Sequence, residues 1–342
     1  MEEALIVYPY PYNMSHKHPL NTLAKIILWL LIWWLVGYTI PSVQKWSSEI
    51  SESIHQASGY TFISPLLECE TKTLWNNQKY IPFEKDIIRK ITDLQEKNKD
   101  IHIAVYFRNL RNGPWFGINE DASYSPASLM KLTILFTYLK WQEIEPNILQ
   151  KVVMPSANTS MSQLYQPSSG IDTWTGYTIA DLLYHLIVYS DNTASNTLLS
   201  LIPRELQDTV YTDLGIPAPK TMDYTLSVKE YASFFRILYN ASYLTRDSSE
   251  SALRLLSLST FTGGLTGKLP SDIVVAHKFG ERELLENGEI VNQLHDCGIV
   301  YYEKYPYLIC IMTRGKTDMN HLSSLIQDIS KDIFDEIRSR YN

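Results

Sequence analysis

Apolar and polar positions follow three different rhythms along the chain. Residues 23–40, LAKIILWLLIWWLVGYTI, are apolar on every side, a run of 18 whose only charge, Lys25, lies near one end where its ammonium can reach water. No A-x-A-like site follows the run, so it reads as a retained transmembrane anchor rather than a cleaved signal. Lys17 and Lys25 precede it and only Lys45 follows closely, which puts residues 1–22 in the cytoplasm and everything after 41 outside. Residues 41–80 are rich in small polar side chains without a sustained period and read as a linker.

The second rhythm is helical. FEKDIIRKITDLQEKNK sets apolar side chains at 87, 88, 91 and 94, one stripe of a helix. The third is that of strands: IHIAVYF at 101–107, then WFGI after the turn RNLRNG, and later DIVVAHKF, HDCGIVYY and YLICIMT. Between them, from Ser123 to about Leu258, the pattern is mostly helical. The chain closes on a helix with Leu322, Leu325, Ile326, Ile329, Ile333 and Ile337 on one stripe.

The order helix, two strands, helical insertion, three strands, helix predicts an α/β fold of the α+β kind: an antiparallel sheet of about five strands flanked by N- and C-terminal helices, with an inserted all-helical lobe. The predicted domain spans 81–342, its sheet lobe 81–122 and 263–342 and its helical lobe 123–262. The groove between the lobes is where a site is expected. No internal repeat is present.

Composition narrows the function. With 342 residues, 45% hydrophobic and 20% charged, the chain is of ordinary globular make-up. A net charge of −7 without a Lys/Arg run argues against nucleic acid as a partner. Three cysteines, Cys69, Cys297 and Cys310, do not make a disulfide framework. Cys297 and Cys310 fall on two neighbouring strands and are expected as buried thiols rather than a cross-strand bridge. The histidines lack metal-ligand spacing, and His277 and His295, on strands, read as structural, so neither metal nor cofactor is expected. GGLTGKL resembles a phosphate loop, but Thr262 and Leu269 stand where that pattern needs glycine and a hydroxyl.

The chemistry starts at YSPASLMKLTILF. Ser128 and Lys131 lie three positions apart at the front of an apolar helix, on one face. A lysine in apolar surroundings loses its proton more readily, and a neutral amine beside a hydroxyl can activate it as a nucleophile. Ser-x-x-Lys alone is cheap, since Ser42 and Lys45 repeat it just past the anchor. Its company gives it weight: YSDNTASN supplies Ser190, Asp191 and Asn192 in the helical lobe, and AHKFGE puts Lys278 and Gly280 on a strand.

Ser-x-x-Lys, Ser-Asp-Asn and Lys-x-Gly in that order resemble the motifs of the penicillin-recognising serine hydrolases, on the class A β-lactamase-like side, from about Phe83 to the C-terminus. The resemblance implies Ser128 as nucleophile and Lys131 as base, its proton affinity lowered by burial and by Lys278. Ser190 would pass a proton to the leaving nitrogen. Asn192 would hold the substrate amide and steady Lys131, and Lys278 would attract the substrate carboxylate. Gly280 would keep the strand edge open, and the backbone N–H of Glu281 would be the second oxyanion donor. Asp191 is expected to order its loop.

Two departures stand out. Phe279 occupies the position where the family carries a hydroxyl, and a phenyl ring cannot hydrogen-bond a carboxylate. The glutamate that positions the deacylating water has no clear equivalent: Ser227 and Glu230 read as a capping box, and IPAPKTMDYTL before them offers only Asp223. The expected function is a membrane-anchored, extracytoplasmic serine hydrolase, β-lactamase-like or a D,D-peptidase. It would form an acyl-enzyme on Ser128 with a β-lactam or a D-Ala-D-Ala-type peptidoglycan peptide and release it slowly. The competing reading is a non-catalytic module binding wall peptides or a partner through the same groove.

Overall fold

The computed structural model describes residues 27, 29, 59–64, 83–111, 113–155, 165, 170–219 and 224–341. Residues 1–22, the anchor expected at 23–40 apart from Ile27 and Trp29, Cys69, Asp223 and most of the linker expected at 41–80 lie outside them. Among the described residues no helix is long and apolar enough to cross a membrane. The chain divides into two units, Met1–Gly59 and Tyr60–Asn342, and the second carries every element below.

It opens with α1 (Glu84–Lys97), β1 (Ile101–Asn109), β2 (Trp115–Ile118), β3 (Ser123–Tyr124) and a 3-10 turn, Ala127–Met130, that runs straight into α2 (Lys131–Ile144). The helical insertion continues with β4 (Val152–Val153), β5 (Tyr177–Thr178), α3 (Ile179–Val188), α4 (Asn192–Leu201) and α5 (Arg204–Asp213). After β6 (Leu226–Ser227), α6 (Val228–Tyr239) and α7 (Arg246–Leu256) complete it. The chain returns to the sheet through β7 (Val274–Glu286), β8 (Glu289–Tyr301) and β9 (Tyr307–Gly315), and closes on α8 (Met319–Tyr341).

Helix starts follow local chemistry. Thr178 with Asp181 and Ser227 with Glu230 form capping boxes for α3 and α6, the second as the sequence predicts. The five main strands form one antiparallel sheet in the order β2-β1-β9-β8-β7, which leaves β7 on an edge. β7 and β8 run further than the apolar pattern predicts, meeting at Asn287 and Gly288, both left-handed at φ 51° and 82°. That pair is a favoured two-residue hairpin turn.

Each sheet face has its own cover. Ala104, Ala276, Ile299, Leu308 and Met312 pack with Leu132, Ile187, Phe234 and Leu253 of the helical lobe. The opposite face, with Ile103, Val105, Val275, Ile309 and Ile311, packs against Ile87 and Ile91 of α1 and Leu322, Ile326, Ile329 and Ile333 of α8. α2 is buried all round from Lys131 to Leu139, which is why its sequence is apolar without a stripe.

Two features depart from expectation. Cys297 and Cys310, directly paired across β8 and β9 with Cα atoms 3.9 Å apart, form a disulfide rather than two thiols. Strand register, which the sequence does not display, brings them together. Within the expected linker, residues Tyr60–Ser64 are a strap bound to the domain. Glu250 Oε1 accepts the Thr61 N–H at 3.0 Å, and its Oε2 accepts those of Phe62 and Ile63 at 2.8 and 3.2 Å. The Tyr301 hydroxyl donates to the Phe62 carbonyl at 2.9 Å, and the Ser64 N–H donates to Tyr239 at 2.8 Å. Ile63 enters the core. Glu250→Ala is expected to lower the unfolding free energy by about 2–4 kcal/mol, because hydrogen bonds to a charged acceptor are lost together. A fall in the urea midpoint at unchanged slope checks it.

Candidate active site

Backbone strain presents the serine. Ala127 is left-handed at φ 48°, a conformation that disfavours a side chain, and Ser128 follows it in the 3-10 turn. Residues three apart eclipse one another in such a turn, so Ser128 lies over Lys131, the first residue of α2. Pro126 begins the turn and no side chain caps it. Ser128 is therefore not a helix cap, and the free N–H groups at the turn's start are available to developing negative charge.

The strained backbone is held by contacts scattered through the sequence. The Ser125 N–H donates to Gln293 Oε1 at 3.2 Å, and Arg282 Nη1 donates to Ser125 Oγ at 2.6 Å. His295 Nε2 donates to the Ser125 carbonyl at 3.0 Å, while its Nδ1 accepts the Thr313 N–H, which fixes the tautomer. Burial pushes the His295 imidazole down to about 4, so it stays neutral in this role. The Tyr231 hydroxyl donates to the Leu129 carbonyl at 2.9 Å. Gly280 completes the seat: a Cβ there would stand 2.8 Å from the Pro126 carbonyl oxygen and 2.9 Å from the Leu129 nitrogen. The glycine is required by close approach of β7 to the serine turn, in addition to an open edge.

Ser190 is the meeting point of both lysines. It too is left-handed, at φ 55°. Lys131 Nζ donates to the Ser190 carbonyl, to Ser190 Oγ at 3.2 Å and to Asn192 Oδ1 at 2.7 Å. From the sheet side, Lys278 Nζ donates to Ser190 Oγ at 2.9 Å. Asp191, rather than Ser190, caps α4, accepting the Ala194 N–H at 2.8 Å, which is the ordering expected of it. Three distant segments thus converge on one hydroxyl.

Burial sets the protonation. Lys131 is 5% exposed, and desolvation lowers its amine to about 7 against the opposing pull of Asp191 and Glu281. The like charge expected from across the groove bears instead on Lys278, which burial and then Lys131 hold well below the usual lysine range. The groove wall continues at Glu281, whose Oε1 accepts the Tyr165 N–H at 2.6 Å. Because β7 is an edge strand, alternate N–H groups along it face away from β8.

The Phe279 side chain is packed into an aromatic cluster. Its ring is 1% exposed and stacked on Phe261 at 3.8 Å, with Tyr165 edge-on to it at 5.3 Å. Glu230 does not reach the serine: its carboxylate accepts the Ser227 N–H at 2.8 Å and hydroxyl at 2.9 Å, within the cap of α6. Gln293, Arg282 and Tyr231 carry no motif that would mark them in sequence. Among the described residues no group of three His, Cys, Asp or Glu side chains could hold a metal ion.

A half-buried serine three residues before a buried lysine at a helix start, with a second serine meeting that lysine and another, defines a serine hydrolase. A family model described as the beta-lactamase enzyme family matches residues 86–337, and the chain belongs to that family. Solved structures repeat the fold. A mutant of PBP-A, described as an acyl-enzyme complex with penicillin G, is 20% identical, with 75% of this chain and 97% of that one covered at a TM-score of 0.59. A β-lactamase from Chitinophaga pinensis is 19% identical over 74% of this chain and 99% of its own, with a TM-score of 0.64. The TLA-3 extended-spectrum β-lactamase is 17% identical over 74% and 98%, with a TM-score of 0.65. No curated protein sequence matches the chain.

Proposed function

We propose that the chain is a membrane-anchored, extracytoplasmic serine hydrolase that is acylated on Ser128 by β-lactams or D-Ala-D-Ala-type peptides and deacylates slowly. The observation that carries this reading is the Lys131 amine, buried, lowered to about 7 and hydrogen-bonded to Ser190 and Asn192, on the residue three positions after Ser128. It takes the hydroxyl proton as Ser128 Oγ attacks the carbonyl, and the N–H groups of the turn and of Glu281 receive the oxyanion. Ser190 Oγ, touched by both lysines, returns a proton to the leaving nitrogen. The penicillin G acyl-enzyme described for the PBP-A mutant supports the same chemistry here.

Slow release follows from the carboxylates. Among the described residues the hydrogen-bond partners of Lys131 Nζ are Ser190 and Asn192, and Glu230 is committed to its helix cap. With Glu230 held in that cap, the carboxylate nearest in sequence to the expected loop is not free to polarise a water, which supports slow release. Anchoring rests on the run at 23–40, and retention of the chain in membranes after an alkaline carbonate wash checks it.

The test uses the full chain in detergent with a fluorescent penicillin, read by intact mass. The expected result is a lasting adduct on the wild type and none on Ser128→Ala. Rapid consumption of the penicillin without an adduct would replace slow release by true β-lactamase turnover. Neither adduct nor consumption, with the fold intact, would favour a binding module.

A further inference from the structure

Lys278 is the one cation of the motif set expected to meet the substrate from outside, yet the structure encloses it. Its exposure is 0%. Nζ donates to Ser190 Oγ at 2.9 Å and to the Phe279 carbonyl at 2.8 Å, and the Phe279 ring lies 4.3 Å from it on a further side. A carboxylate is bound only by donors that can turn toward it, and here two are committed and a ring shuts off the approach. The ring itself is clamped: Phe261 stacks on it at 3.8 Å with planes 15° apart, and Tyr165 meets Phe261 and Phe279 edge-on at 5.2 and 5.3 Å.

Charge points the same way. Burial and the neighbouring Lys131 both disfavour the charged form of the Lys278 amine, which weakens its pull on an anion. The Glu281 carboxylate acts electrostatically on both lysines, so negative charge is already present beside them.

We propose that this site acylates best with donors lacking a carboxylate beside the scissile bond, that is neutral esters, thioesters and amides. The inference rests on the reading of Ser128 as the acylated nucleophile. The covalent step is unchanged: the Ser128 Oγ–carbonyl bond forms and the carbonyl–leaving-group bond breaks. Lys131 takes the serine proton, and Ser190 relays one to the leaving atom.

The test compares two thioesters on the full chain, identical except that one leaving group ends in a carboxylate and the other in its methyl ester. Thiol release gives the second-order acylation rate, and intact mass locates the adduct. Expected is faster acylation by the methyl ester than by the acid. Equal rates or a preference for the acid overturn the inference and leave the acyl-enzyme reading standing, whereas failure of both thioesters to label Ser128 removes that reading and the inference with it. Phe279→Thr should raise the rate of the acid alone by about tenfold, the effect of one hydrogen bond to a charged group. In case that variant does not fold, wild-type rates with both thioesters at low and high salt decide independently. Equal salt dependence is expected, and selective slowing of the acid by salt would count against the proposal.

Discussion

Replacing Lys131 with methionine is expected to slow acylation of Ser128 about a thousandfold, within the range that a positioned general base supplies. Methionine keeps the volume and apolar stem in a helix front that is buried on every side, so the fold should survive. The amine is the difference. Held at about 7 by desolvation, it is substantially unprotonated at neutral pH. Wild-type acylation should therefore rise about tenfold per pH unit below that value and level off above it, while the variant gives a flat, low profile. Stopped-flow acylation by a chromogenic β-lactam or thioester across this range reads both.

The same shift has a stability consequence of definite sign. The folded Lys131 binds its proton less tightly than the unfolded chain, whose value is near 10.5. Between about pH 7 and 10.5 the unfolded state holds more protons, so this lysine makes stability rise with pH across that window. Below it the full cost of burying the ammonium is present. Lys131→Met should remove that rise and be more stable than wild type at pH 6, as urea unfolding at several pH values would show. Loss of stability together with activity would mean that Lys131 is a structural ion and not a base.

Asp296→Ala is expected to be the most destabilising single change in the sheet, by about 3–5 kcal/mol, the usual cost of breaking a buried pair from one side. Asp296 is wholly buried on β8, paired with Phe279 of β7. Both its oxygens lie 2.9 Å from His277 Nδ1, and Oδ2 also accepts the Leu265 N–H at 2.8 Å. Gly264 passes so close that a Cβ there would stand 2.1 Å from Oδ2. The loop that imitates a phosphate motif is thus fastened by this carboxylate to the strand next to the one that carries Lys278. Alanine would strand the imidazole and the amide together, and Asp296→Asn, which keeps an acceptor, should cost less. Equal losses from the two variants, measured by denaturant unfolding, would show that the carboxylate is not the fastener.

Much of the site could be read in sequence because its parts are local. Ser128 with Lys131, Ser190 with Asn192, and Lys278 with Gly280 are each set by spacing on one element, and their order along the chain matches the order of the sheet and its helical insertion. Strand runs and the cap of α6 were legible for the same reason. What could not be read depends on register. Gln293, His295 and Arg282 meet at Ser125 only because β7 and β8 pair as they do, and Cys297 faces Cys310 only once β8 and β9 are aligned. The extension of β7 and β8 past the apolar runs is not displayed, although Asn287–Gly288 signals a hairpin, because ERELLE and EIVNQ group charged and apolar side chains instead of alternating them. In sequence Phe279 shows only the hydrogen bond it lacks, because its ring partner Phe261 lies in a distant loop. The strap was hidden by its shortness: five residues have no period.

In a chain tethered through residues 23–40 as proposed, tension drawn along the segment ahead of the catalytic unit would first meet Tyr60–Ser64. Glu250 grips three successive amides there, and Tyr239 and Tyr301 hold the next contacts. A pull would have to peel these apart before reaching the strands that carry the nucleophile's seat. Fragments cut after this clasp would lose it, so soluble versions of the enzyme are best begun upstream of Tyr60.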